Sequence, residues 1–437
     1  MNRNLMSWQE EASRYITGGM SSSFRKNAFT GIPMYVQRAK GPRFVDLAGK
    51  EYIDFFMCHG AVLLGHDHQA VKEAISHSLE KGFFAGYDTE ETISFGRKVC
   101  SVIPSAQSIR FVNSGTEGTL LALRLARGYT RKPCIIRIDG HFHGIHDYLI
   151  ANNLIHKRDR SNDGSRVSKV IGRSRGIPDV VDSTIITVPW NNAEIIASVI
   201  AERGDEIAGI IMNVIDYNNG LFLTTKEYLE QVRSLCDRYN IVLIFYEILS
   251  GFKTGNSCAQ GLYGVTPDIC TLGKALTNDV PLSIVVGKKM IMDCIMDPVD
   301  PVISGGTFSG NQLGIAAGNA VLDTIMQPAF YSQFLDRTER FFASLQELFT
   351  RSAFPAVVKG LGAGFTISVG TDVPLETYDD ADRIDTVLAR KFFTACIERG
   401  LYFHTDFTVS AAHDEQILSE ALERIEDVVM TMKRNSL

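Results

Sequence analysis

Residues 240–287 constrain the fold more tightly than any other part of the chain. They hold three short, continuous apolar runs rich in β-branched residues, at 241–248, 269–272 and 284–286, separated by loops. Runs of this length and composition read as strands buried on both faces, and such strands belong inside an α/β sheet. Lys274 follows the second run directly after a glycine. A lysine at the end of a buried strand becomes a nucleophile able to form a Schiff base if its surroundings keep part of it neutral. The alternative is an ordinary exposed lysine, since charged side chains mostly face water.

Further stretches stand in order around this one: FVNSGTEGTLLALRLAR (111–127), DGHFHG (139–144), LIFYEILSGFK (243–253) with TLGKA (271–275), and GGTFSGNQLGIAAG (305–318). In order and approximate spacing they resemble the class III pyridoxal-phosphate (PLP) aminotransferases, and within that family they look most like the glutamate-1-semialdehyde aminomutases. The resemblance runs from about Gly31 to the C-terminal helix. It implies an α/β protein of the PLP-dependent transferase type I fold, with a mostly parallel seven-stranded sheet in a large domain and a small α+β domain. The implied boundaries are 1–65 for an N-terminal segment and small sheet, 66–318 for the large PLP-binding domain and 319–437 for the C-terminal domain.

Charge and composition narrow the function classes. Lys+Arg 44 against Asp+Glu 50 gives a net charge of −6, so no basic field points to nucleic acid or an anionic membrane. A small-molecule substrate is the default expectation. No apolar run approaches the roughly 18–20 residues that span a bilayer, and the N-terminus lacks a secretory core, so a cytoplasmic location is expected. The 8 cysteines are scattered without CxxC spacing, which suggests reduced core residues, with neither a metal site nor a disulfide frame.

Several positions carry candidate chemistry. Ser114-Gly115-Thr116 opens a helix, where backbone N–H groups and the positive dipole end suit a cofactor phosphate; an N-cap followed by an acidic residue is the plainer alternative. By resemblance, Phe142 stacks on the pyridine with His143 beside it, Ile248 covers the opposite ring face, and Asn218 also lies at the cofactor. Thr307, in Gly305-Gly306-Thr307, would bind the phosphate of a partner subunit, implying a homodimer with shared active sites. Arg25 falls where the aminomutases carry an arginine for the substrate carboxylate. His59 stands where they usually have an aromatic residue, and is expected either to touch substrate or to be a hydrogen-bonded structural histidine.

The chain also departs from the family pattern. Asn213-Val214 replace a Glu-Pro pair, and residues 276–281 (LTNDVP) replace a glycine-rich turn. Most consequential, Phe245-Tyr246-Glu247 replaces Phe-Asp-Glu, so Tyr246 stands where an aspartate would pair with the protonated pyridine nitrogen. A phenol has an unperturbed pKa of about 10 and cannot hold that proton as a carboxylate does. Glu247 is expected to point to the opposite face. Aminotransferase or aminomutase chemistry with atypical cofactor tuning is therefore expected; racemase or lyase chemistry on the same scaffold, or a non-catalytic binding relative, are the alternatives.

The remaining elements are expected to be an amphipathic helix over about the first 20 residues and antiparallel strands over 33–56. A long basic loop at 156–179, by resemblance a gate, should lead to a strand at 207–215 and a helix at 225–239. Helices at 311–326, 331–351, 382–399 and 413–432, with a strand at 364–369, complete the expectation.

Overall fold

The computed structural model describes residues 5–150 and 174–434. Most of the expected gating loop, 156–173, lies outside the described residues. The chain forms two compact units: Met1–Lys72 with Ala329–Leu437, and Glu73–Pro328.

The second unit is built on seven strands: β1 (Ser108–Val112), β2 (Cys134–Ile138), β3 (Ile185–Val188), β4 (Ile207–Met212), β5 (Val242–Glu247), β6 (Ile269–Leu272) and β7 (Ser283–Gly287). Their order across the sheet is β1-β7-β6-β5-β4-β2-β3. All neighbours pair parallel except β7, which runs antiparallel to both β6 and β1. Every residue of β2 and of β4 to β7 is buried, as their unbroken apolar runs require. The edge strands β1 and β3 are partly exposed.

Four long helices of this unit begin at side-chain caps. Helix α1 (Gly115–Thr130) starts at Ser114, whose Oγ accepts from the Glu117 N–H at 3.2 Å. Helices α2 (Ala193–Arg203), α3 (Lys226–Tyr239) and α4 (Gln312–Ile325) are capped in the same way by Asn192, Thr225 and Asn311. Leu121, Ala122 and Leu125 of α1 share a cluster with Val242, Ile244 and Tyr246 of β5 and with Ile248 just beyond it. Burying each such leucine contributes roughly 1.5–3 kcal/mol. The even-numbered residues of β5 thus face α1, and Glu247 faces the other way.

In the first unit, strands Val36–Lys40, Arg43–Asp46 and Glu51–Asp54 form the expected antiparallel meander. Leu401–Tyr402 adds to it in parallel beside Glu51–Asp54. Ala356–Leu361, Gly364–Val369 and Phe407–Thr408 make a three-stranded sheet, accompanied by helices Phe330–Arg351, Thr386–Glu398 and Glu415–Arg434. Phe55 lies stacked between Phe341 and Phe403, with Phe365 edge-on, at the centre of this unit's core.

Two elements differ from expectation. The first helix covers only Leu5–Ala12, because the Ser13 hydroxyl turns back to the Gln9 carbonyl and Gly18 and Gly19 adopt positive φ. The strand expected at 207–215 stops at Met212; after Asn213 the chain forms a short hairpin, Ile215–Asp216 with Phe222–Leu223. Among the described residues, no helix is long and apolar enough to cross a membrane.

Candidate active site

The parallel strands of an α/β sheet present their loops for binding at the carboxyl ends. Here β5 delivers Tyr246 and Ile248, and β6 delivers Gly273 and Lys274; the two strands are in register, Tyr246 opposite Thr271. Gly273 is extended, and a Cβ there would collide with the Ser283 hydroxyl and lie 3.3 Å from Ile248 Cδ1. Only glycine fits that approach. Lys274 then adopts φ +49°, a left-handed conformation that costs a non-glycine residue about 1–2 kcal/mol and persists where the surroundings over-determine it. The lysine is half-buried.

The first turn of α1 reaches the same place. A Cβ on Gly115 would lie 3.0–3.2 Å from three Ile248 side-chain carbons, so the absence of a side chain lets the turn settle against Ile248. Ser114 is exposed, Gly115 and Thr116 half-buried. The Thr116 hydroxyl accepts from the Ile145 N–H at 3.2 Å, while Thr119 Oγ1 donates to the His143 carbonyl at 2.8 Å and lies 3.1 Å from His146 Nε2. These contacts lock the 139–146 loop onto the helix start. Thr119 and His146 were not singled out in the sequence; a threonine one helical turn after Gly115, with histidines at 141, 143 and 146, was the available signal.

His143 is fully buried with its ring edge-on to Tyr246, centroids 5.1 Å apart. Neither ring nitrogen has a hydrogen-bond partner among the described residues. Burial, reinforced by His141 and Arg137, holds its pKa well below the ordinary histidine range, so the ring is neutral. Burial also pushes the Tyr246 phenol upward, so it too stays neutral. Asn213, the other replaced residue, donates its backbone N–H to His141 Nδ1 at 3.0 Å, and its side-chain oxygen is buried without a hydrogen-bond partner among the described residues.

Glu247 has another task. It accepts from the Ala259 N–H at 2.6 Å, from Gln260 Nε2 at 3.1 Å and from the Gln260 N–H at 3.4 Å, tying the helix Cys258–Tyr263 behind the sheet. Burial outweighs these hydrogen bonds and raises its pKa to about 7.

The structure therefore brings together the Ser114–Thr116 turn, Ile248 and Gly273 next to Lys274, with His143 against Tyr246. Phe142 is half-buried within the loop that α1 anchors. The Asn218 N–H is held by Asp216, and its neighbour Asn219 donates to the Gly140 carbonyl at 3.0 Å. Thr307 is exposed in a turn closed by Ser309 and Asn311 N–H groups. Arg25, exposed at the end of a 3-10 turn (Ser23–Arg25), and His59 belong to the first unit.

This geometry offers an amine at a strained strand end, a helix start for an anion, apolar cover on one face and a neutral phenol with an unsatisfied imidazole behind. The family description Aminotransferase class-III matches residues 25–429. The chain is 36% identical over 431 residues to the glutamate-1-semialdehyde 2,1-aminomutase of Pyrobaculum calidifontis, covering 97% of this chain and 95% of that one. It is 34% identical over 430 residues to the enzyme of the same name from Legionella pneumophila, covering 97% of each. Among solved structures, an omega-transaminase from Sphaerobacter thermophilus superposes with a TM-score of 0.89 at 25% identity, over 98% of this chain and 97% of that one. A glutamate-1-semialdehyde aminomutase from Pseudomonas aeruginosa PAO1 shares the fold, with a TM-score of 0.85 at 19% identity, over 97% and 94% of the two chains.

Proposed function

The chain belongs to the class-III aminotransferase family and is a PLP-dependent enzyme, and from that premise we propose that it moves an amino group within or between small amino or keto compounds. The observation that carries this reading is Lys274, held in a left-handed backbone at the carboxyl end of β6 beside the Ile248 wall and the first turn of α1. Bound PLP supplies an electron sink for a carbanion formed beside the substrate nitrogen.

The residues present fit that group. Lys274 would anchor it covalently and carry a proton between substrate carbon and cofactor. Ser114, Gly115 and Thr116 would meet the phosphate with first-turn N–H groups, and Ile248 and Phe142 would cover the two ring faces. His143, buried with neither nitrogen hydrogen-bonded among the described residues, supports a polar occupant near Tyr246. Asn218 is proposed on the same cofactor and Arg25 on the substrate; the ring nitrogens of His59 face Asp406 and the Phe24 carbonyl, which supports the hydrogen-bonded role expected as the alternative to substrate contact. We further propose a cytoplasmic homodimer in which Thr307 serves the partner's phosphate.

Tyr246 would donate a hydrogen bond to the ring nitrogen and leave that nitrogen without a formal charge. A hydrogen bond to a charged group is worth roughly 1.5–3 kcal/mol and a neutral one roughly 0.5–1.5, so the exchange costs about 1–1.5 kcal/mol, or about one decade in a rate that depends on the electron sink. Glu247 does not compensate, since its oxygens are engaged behind the sheet. This neutral partner also favours a second reading, racemisation or elimination, in which net transfer of the amino group is not required. Incubation with glutamate-1-semialdehyde and a panel of amino donors separates the two. Stoichiometric pyridoxamine phosphate supports amino-group transfer; turnover without it supports the second reading.

A further inference from the structure

We propose that His59, His404 and Asp406 form a binding site for a borderline divalent cation of the Zn²⁺ class. All three residues lie in the first unit, and one ligating atom from each lies within 4.8 Å of the others. Two nitrogens and one carboxylate oxygen are a donor set such ions prefer, with a position left for water or a ligand.

The proton inventory of the cluster points to a cation. His59 Nε2 lies 3.1 Å from the Phe24 carbonyl oxygen, and His59 Nδ1 lies 3.0 Å from Asp406 Oδ1. Both partners are acceptors, and a neutral imidazole has one N–H to give. With Nε2–H donated to Phe24, a lone pair on Nδ1 faces a carboxylate whose side chain is only 2% exposed. In this tautomer a second proton or a metal ion between them satisfies both groups; a proton on Nδ1 would instead leave the Nε2 lone pair facing the Phe24 carbonyl.

His404 distinguishes the two. Thr405 donates its single hydroxyl proton to Asp406 Oδ1 at 3.0 Å, so its oxygen can only accept from His404 Nδ1, 3.2 Å away. In that arrangement the His404 proton lies on Nδ1 and a lone pair on Nε2. This atom is buried without a hydrogen-bond partner among the described residues, on a side chain 3% exposed. A second proton on His59 makes no use of that lone pair; a cation does. Main-chain carbonyls of Arg25 and Lys26 also face the His404 ring.

The backbone fits the same role. Met57, Cys58 and His59 have φ of 45°, 55° and 56°, followed by Gly60 at 67°, a left-handed turn. Each non-glycine residue there costs about 1–2 kcal/mol. The turn delivers His59 to Asp406, and its Nε2–H bond to a main-chain carbonyl is the outer contact that usually orients a metal-bound histidine. Ligands about 2.0–2.2 Å from Zn²⁺ stand roughly 3.4 Å apart, so modest side-chain rotation closes the site.

The test titrates ZnCl₂ and CoCl₂ into the full-length, PLP-loaded, chelator-treated and thiol-blocked protein. The expected result is one zinc per chain and visible d–d absorption from cobalt. His404→Ala, His404→Gln and Asp406→Asn should abolish both while leaving the circular dichroism unchanged. Thr405→Val, which removes the hydroxyl that orients His404, should weaken zinc by about 10–100-fold. Absence of stoichiometric zinc in the wild type, or zinc binding unchanged in both His404 variants, would overturn the assignment in favour of a protonated His59–Asp406 pair.

Discussion

Glu247→Gln is the sharpest test of how β5 divides its labour between its two faces. Glu247 is fully buried, and its pKa is raised from 4.5 to about 7 because burial outweighs the hydrogen bonds from Ala259 and Gln260. With the folded-state value above the unfolded one, the native protein holds the extra proton between those limits. The associated stability is therefore complete below about pH 4.5 and lost as pH rises through about 7. A shift from 4.5 to about 7, at 1.36 kcal/mol per unit, amounts to about 3 kcal/mol. The amide of Glu247→Gln never takes on this charge. Relative to the variant, the wild type should lose about 2–3 kcal/mol between pH 5 and 7.5, a change of roughly 3–5 °C in the difference between their unfolding temperatures. Thermal unfolding of the cofactor-stripped proteins across that range measures it. Parallel curves for the two proteins would refute the claim that Glu247 is a buried, titrating anchor.

Other substitutions probe the opposite face. Tyr246→Asp places an unpaired carboxylate against neutral, buried His143, so the cofactor-free variant should lose about 3 kcal/mol or more and regain much of it with PLP; unfolding temperatures with and without PLP show whether it does. Tyr246→Phe should keep the fold and the edge-on contact with His143 but shift the absorption maximum of the bound cofactor; an unchanged spectrum would exclude contact between the hydroxyl and the ring. Gly115→Ala sets a methyl 3.0–3.2 Å from Ile248 carbons and should destabilise by about 1–3 kcal/mol while weakening PLP in a spectral titration. His141→Ala strands the buried Asn213 N–H and should cost about 1–3 kcal/mol in urea unfolding.

What could be read from the sequence follows from the range of the signal. The strands at 242–247, 269–272 and 283–287 were legible because burial on both faces leaves a continuous apolar run. The cap at Ser114 was legible from its small-residue turn, and the helices expected from 225 and 311 begin one residue later, with Thr225 and Asn311 as their caps. Period-2 alternation likewise separated Glu247 from Tyr246 before any coordinates were needed. Long-range partnerships left no local trace. Leu401–Tyr402 joins a strand some 350 residues earlier in the chain, and Asp406 meets His59 across a similar separation. The break at Asn213 was hidden because apolar residues continue on both sides of it, and the left-handed turn at 57–60 has only one glycine to announce it.

We propose that the cofactor attaches to Lys274. The purified protein should be incubated with PLP, reduced with borohydride, digested and mapped by mass spectrometry. A single pyridoxyl label on Lys274, absent in Lys274→Ala, is the expected result. A label on another lysine such as Lys253, or none on Lys274 under saturating PLP, would contradict it.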